Sequence, residues 1–175
     1  MSVYRSEEQM VEQLVAWLRG MGLIVQRSVH VRRLELDVVA LGCIDIVSAK
    51  PAKNCTDMLY VFEAKLAASR MLARDVVEQA ITRLFIADYV YIAVPKTANV
   101  WINDKEQKVV EVPRIIEKLA QGSYSKKIGI IAMEPNNGVE IVRKAIRSAL
   151  VVDELKKEVL KELKKTQKTL WRFIN

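Results

Sequence analysis

Apolar residues recur at helical spacing at Met10, Val11, Leu14, Val15, Leu18 and Met21. Ser6 stands where an N-cap belongs and Gly20 and Gly22 end the run, so the pattern predicts a first helix over 6–21. Next come strand-like stretches at 23–29 and 34–41, separated by the charged turn Arg32-Arg33, and a third at 58–65 after a long hairpin-like connection holding Pro51 and Asn54. Leu72, Val76, Val77, Ala80, Ile81 and Leu84 stripe a second helix over 69–86, and 89–94 reads as a short buried strand closed by Pro95. Further on the pattern predicts a helix at 111–121, an apolar strand at 127–133, a turn at Asn136-Asn137-Gly138, an edge strand at 139–142 and a helix over 145–173. Helix, three strands, helix, strand, helix, strand, helix is an α/β order with a mixed sheet between helices. Neither an internal repeat nor a shift of composition marks a boundary, so 1–175 is expected to form one domain.

Composition narrows the class. With 175 residues, 51% hydrophobic and 28% charged, the chain can bury a proper core. It has no apolar run of membrane-spanning length, and Met1-Ser2-Val3-Tyr4-Arg5 has no signal-peptide character, which predicts a cytoplasmic protein without a membrane partner. The net charge of +7 is concentrated: from Arg143 to Asn175 there are 10 Lys and Arg against 4 Asp and Glu. A polyanion partner and a merely solvated helix face both account for that excess. Cys43 and Cys55, without a His cluster, are expected to be ordinary reduced thiols. The single His30 leaves no room for multi-His metal chemistry and reads as structural; no Gly-rich phosphate loop occurs.

The chemistry-bearing residues sit on two predicted strands, Leu34-Glu35-Leu36-Asp37-Val38-Val39-Ala40 and Tyr60-Val61-Phe62-Glu63-Ala64-Lys65. On a strand, residues i and i+2 share a face, so Glu63 and Lys65 point one way and Phe62 and Ala64 the other. An unpaired carboxylate at Asp37 on so apolar a run is costly. If the strands pair, Asp37, Glu63 and Lys65 converge at one end of a sheet, an arrangement suited to a hard cation. A plain strand-to-strand ion pair is the alternative.

These residues, in this order of elements, resemble the PD-(D/E)XK nuclease superfamily, with the restriction-endonuclease-like fold. Leu36-Asp37-Val38-Val39-Ala40 followed by Val61-Phe62-Glu63-Ala64-Lys65 looks like the signature of archaeal Holliday-junction resolvases and Mrr-like enzymes, except that Leu36 replaces the proline usual before the Asp. The resemblance covers 6–95, an αβββαβ core, and leaves 96–175 as an extension ending in the basic helix. It implies a metal-dependent DNA endonuclease that hydrolyses phosphodiester bonds, on branched or damaged DNA among other substrates. The alternative is a catalytically inactive nuclease-fold protein that binds nucleic acid in a regulatory or architectural role. The implied cofactor is Mg²⁺, with Mn²⁺ able to substitute, held by Asp37, Glu63 and the carbonyl of Ala64. Lys65 would orient the attacking water and offset transition-state charge.

The family often adds an acid from helix one. Taking ~100° per residue with Leu14 at the origin, Glu7 falls about 20° away, Glu8 about 120° and Glu12 about 160°. Glu7 is therefore best aimed at the sheet, although one turn earlier than the family pattern places its acid. Gln79 and Arg83, one turn apart on helix two, would position a water or a phosphate, or else form a surface pair. Arg27, Arg32 and Arg33 flank the first two strands as phosphate contacts or as solubilising charges. Trp17 is expected in the core, while Trp101 and Trp171 are open to base stacking or to no role. A homodimer is also expected of a small α/β domain of this type.

Overall fold

A computed structural model describes residues 3–67, 69–136 and 138–174, without the side chains of 102 and 169–174. Asn137 of the predicted turn and the side chain of Trp171 therefore lie outside the described residues. The first helix, α1, runs Glu7–Gly20 and begins as its sequence dictates: Ser6 accepts the Gln9 N–H, and Glu7 and Glu8 stand in the first turn. The chain then forms β1 (Ile24–Val31), β2 (Leu34–Gly42), the two-residue strands β3 (Ile44–Asp45) and β4 (Lys50–Pro51), and β5 (Met58–Ala64). Helix α2 (Arg70–Arg83), capped by Ser69, crosses to β6 (Tyr89–Pro95). A hairpin of β7 (Thr97–Asn103) and β8 (Glu106–Glu111) leads into α3 (Val112–Leu119), a 3-10 turn at Ser125–Lys127, β9 (Gly129–Glu134), β10 (Gly138–Arg143) and α4 (Asp153–Ile174).

Six strands form the central sheet in the order β1-β2-β5-β6-β9-β10. Its middle is parallel (β5/β6 and β6/β9) and its flanks are antiparallel, so the sheet is mixed and lies between helices. Strand periodicity sorts the core. Tyr60, Phe62 and Ala64 pack with Met10, Leu14 and Leu18 of α1 on one face, while Leu59 and Val61 pack with Val76, Val77 and Ala80 of α2 on the other. Ile116 of α3 and Val159 and Leu163 of α4 complete the second face.

One irregularity bears on the acidic strand. Arg27 pairs with Val38 and Val29 with Leu36, so Ser28 stands across from Asp37, and Ser28 adopts a left-handed φ of 49°. Leu36 belongs to the α2-side core and Val38 to the α1-side core, so the alternation of β2 changes phase at Asp37. At the far edge of the sheet, β10 shifts register between Ile141 and Arg143.

Two expectations are corrected and one alternative is removed. Cys43 and Cys55 are not free thiols but a disulfide with Cα atoms 5.5 Å apart. The β3/β4 pair, with Ile44 opposite Pro51 and Asp45 opposite Lys50, turns the intervening loop back on itself and brings the two cysteines within bonding reach. The last helix starts at Asp153, not near 145. Residues 144–152 form neither helix nor strand because their N–H groups go elsewhere: Ala145 to the Tyr91 hydroxyl, Ile146 to Lys127 O, Ser148 to Asp88 O and Val152 to Phe85 O. Finally, of the two readings open for Gln79 and Arg83, the surface pair is not formed, because Arg83 is buried at 6% exposure and donates to Glu63.

Candidate active site

β2 and β5 pair antiparallel with Val38 opposite Phe62, and the same register carried one residue further sets Asp37 across from Glu63. Asp37 is half-buried, and its Oδ2 accepts the Ala64 N–H at 2.9 Å. Glu63 is 2% exposed on the face toward α2, where its Oε1 accepts from Arg83 Nε at 2.6 Å. The same guanidinium donates from Nη2 to Glu35 O at 2.8 Å and from Nη1 to Thr82 Oγ1 at 3.1 Å. Arg83 thus joins the end of α2 to the start of β2 and to the end of β5.

Helix one closes the other side. Glu7 Oε2 accepts the Leu66 N–H at 3.3 Å and lies 3.7 Å from Lys65 Nζ. Of the three acids considered on that helix, Glu7 reaches the end of β5, Glu8 pairs with Arg27, and Glu12 is exposed. Glu7, Asp37, Glu63, Lys65 and Arg83 therefore gather around the last residues of β5, three acids against two bases.

The acids feel one another. Burial pushes the Glu63 carboxyl up to about 7, and the Asp37 carboxylate adds to this, against the opposing pull of Arg83. Burial likewise raises Asp37 above the usual carboxylate range, with Glu7 adding to the shift while the Ala64 N–H, Arg83 and Lys65 resist it. Two carboxylates held this close and this dry want a cation. Arg83 supplies one charge.

The remaining candidates fall outside this group. Gln79 is exposed on α2, one turn before Arg83, and its side chain makes no hydrogen bond among the described residues. Arg27 is engaged by Glu8, Arg32 is held by Glu158 of α4 at 2.8 Å, and Arg33 is exposed. His30 is exposed, hydrogen-bonded to Ser28 O, and 3.8 Å from Glu35. Trp17 packs at the margin of the α1-side core and Trp101 is 61% exposed on the β7/β8 hairpin.

Among the described residues there is no group of three or more His, Cys, Asp and Glu arranged to hold a metal. Besides the bonds to Ala64 and Arg83, the Glu63 carboxyl shares a side-chain hydrogen bond with Asp37, which puts the two acids together beside the strand end. Two hard oxygens beside a strand end fit Mg²⁺, which fills its shell with water and substrate phosphate and needs few protein ligands. Among those residues, too, no helix is long and apolar enough to cross a membrane.

Sequence reasoning identified the acids and Lys65 but not the Glu63–Arg83 bond. The available signal was a lone arginine in the last turn of a helix whose neighbours Ala80 and Leu84 are apolar. Compared with protein-family models, curated proteins and solved structures, the chain matches none.

Proposed function

We propose that the chain is a Mg²⁺-dependent deoxyribonuclease that hydrolyses phosphodiester bonds, as its resemblance to the PD-(D/E)XK superfamily implies. The observation that carries this reading is that the Asp37 and Glu63 carboxyls meet just beyond the last β2/β5 pair, Val38 and Phe62, with Lys65 and Glu7 at the same strand end. Asp37 and Glu63 would hold the metal, with the Ala64 carbonyl as the third protein oxygen. Bound there, Mg²⁺ supplies Lewis acidity and neutralises phosphate charge. Lys65 holds its ammonium where it can orient the attacking water and offset charge building on the phosphate. Glu7 fixes Lys65 and the backbone of Leu66 from the side of helix one. Lys157, Lys161, Lys164 and Lys168 on the exposed side of α4, together with Arg33, give a phosphate backbone something to meet.

A second reading has its own observation. Arg83, buried against Glu63 at 2.6 Å, already provides the positive charge that a metal would bring. In a catalytically silent, nucleic-acid-binding protein this ion pair is the resting state of the fold.

Cleavage of labelled linear, nicked, splayed and four-way-junction DNA with Mg²⁺ or Mn²⁺ separates the two. The nuclease reading expects cleavage that requires the metal, falls at least about a hundredfold in Asp37→Asn and Glu63→Gln, and survives in Glu12→Gln. DNA binding that weakens with salt, without cleavage by any form, would establish the silent reading instead.

A further inference from the structure

On the sheet face opposite Glu63 lies a second feature that the nuclease reading does not use. β5 and β6 both carry aromatic residues at every other position, Tyr60 and Phe62 on one and Tyr89 and Tyr91 on the other, all toward α1. Their rings stack in two rows, with Tyr60 to Tyr89 at 5.1 Å and Phe62 to Tyr91 at 5.6 Å between centroids. The second row fits because Gly129 has no side chain; a Cβ there would stand 2.2 Å from the Tyr91 ring. Helix α1 covers the Phe62 end of this floor, and the Tyr60 end opens into a cleft of about 520 Å³.

The wall of that cleft is the loop closed by the Cys43–Cys55 disulfide. Tyr60 donates its hydroxyl proton to Ile44 O at 2.7 Å, and Tyr91 accepts the Ala145 N–H at 3.2 Å, so floor and walls are bonded together. Around the mouth stand Lys50, Lys53 and Lys144, all exposed, and none has an ion-pair partner among the described residues. The one acid in the lining, Asp45, is spent on its own turn, where its two oxygens accept from Val47 N and Ser48 Oγ at 3.0 Å each. The cleft thus joins an aromatic floor to a rim of three lysines against the single carboxylate of Asp45, a net cationic mouth. Its volume is that of an ordinary small-molecule site, in which an apolar lining supplies burial and a few charged groups fix orientation.

We infer that this cleft binds an aromatic phosphate of the nucleotide class, with the ring against the half-buried Tyr89, which Tyr60 backs from within the core, and the phosphate among Lys50, Lys53 and Lys144. The site is independent of the proposed catalytic centre. Two sources supply the same chemistry, a free nucleoside 5′-monophosphate and the phosphorylated end of a strand.

Isothermal titration of the full chain with the four nucleoside 5′-monophosphates, their parent nucleosides and inorganic phosphate tests the inference. Saturable binding of at least one monophosphate is expected, with its nucleoside and inorganic phosphate each at least about tenfold weaker, because ring and charge are both read. Lys144→Glu and Lys53→Glu, surface changes that leave folding intact, should each weaken it about tenfold, while Asp37→Asn should not change it. Tighter binding of a 5′-phosphorylated oligonucleotide than of its mononucleotide, lost on dephosphorylation, would assign the strand end; equal or weaker binding would assign the free nucleotide. Absence of saturable binding by every probe, inorganic phosphate binding as tightly as the nucleotides, or affinity unmoved by both lysine reversals would overturn the inference.

Discussion

Glu63 is pulled two ways, by burial and Asp37 toward the protonated form and by Arg83 toward the ionised one. A carboxyl whose folded pKa lies above its unfolded value holds its proton more firmly in the folded state, so stability falls as the proton leaves. For Glu63 the fall begins near the ordinary value of 4.5 and is complete once pH passes about 7, and Asp37, also raised, acts with the same sign. Arg83 moderates that loss. Arg83→Leu should therefore cost about 3–5 kcal/mol at pH 8, the usual price of a buried charge stripped of its partner, and clearly less at pH 5. Urea denaturation at the two pH values measures the difference, and equal losses would refute the account. Glu63 was legible in the sequence from strand periodicity and Glu7 from helical spacing, whereas the phase change of β2 at Asp37 was not. Nor was the role of Arg83, because a helix-two residue reaches β5 only through the packing of the two elements.

Among the elements, α4 shows best where pattern reading succeeds and where it stops. Its 155–165 stretch alternates Lys with Glu and Leu, a pattern that suits packing against the domain as well as DNA contact, and the structure buries Val159 and Leu163 against the α2-side core. The helix is also held by charge. Asp88, only 3% exposed, accepts from Leu59 N at 2.9 Å and from Lys156 Nζ at 2.7 Å, with Arg147 at 3.4 Å. Burial alone would raise its carboxyl, but the Leu59 N–H and the two cations hold it below the usual range. Leu163→Ala should cost about 2–5 kcal/mol, read as a shift of the denaturation midpoint without loss of cooperativity. The start of α4 could not be placed from periodicity, because the bonds that hold Ala145, Ile146, Ser148 and Val152 out of a helix run to distant residues. The β7/β8 hairpin escaped for the opposite reason. Most of its side chains are exposed, so no buried face imprints an alternation on the sequence.

For the whole molecule, the mixed sheet between helices follows from the order of elements, and the disulfide is what that order conceals. Two cysteines 12 residues apart look unremarkable until the β3/β4 turn is formed. Opening a loop of that length should lower stability by about 2–3 kcal/mol on the chain-entropy estimate. Unfolding the chain with and without a thiol reductant, with Cys43→Ser as the reduced reference, checks this; a midpoint unchanged by reductant would contradict it.

The two outer strands of the sheet have a consequence for how molecules meet. An intact edge ladder invites a strand from another chain. On β1 the left-handed Ser28 interrupts the run, and on β10 the register shift before Arg143 does so, the arginine then turning inward to donate to Ile128 O, Ala120 O and Ser125 O. With both edges broken in this way, the sheet does not offer itself for extension, and crowded copies of the chain are kept from zipping into a continuous fibre.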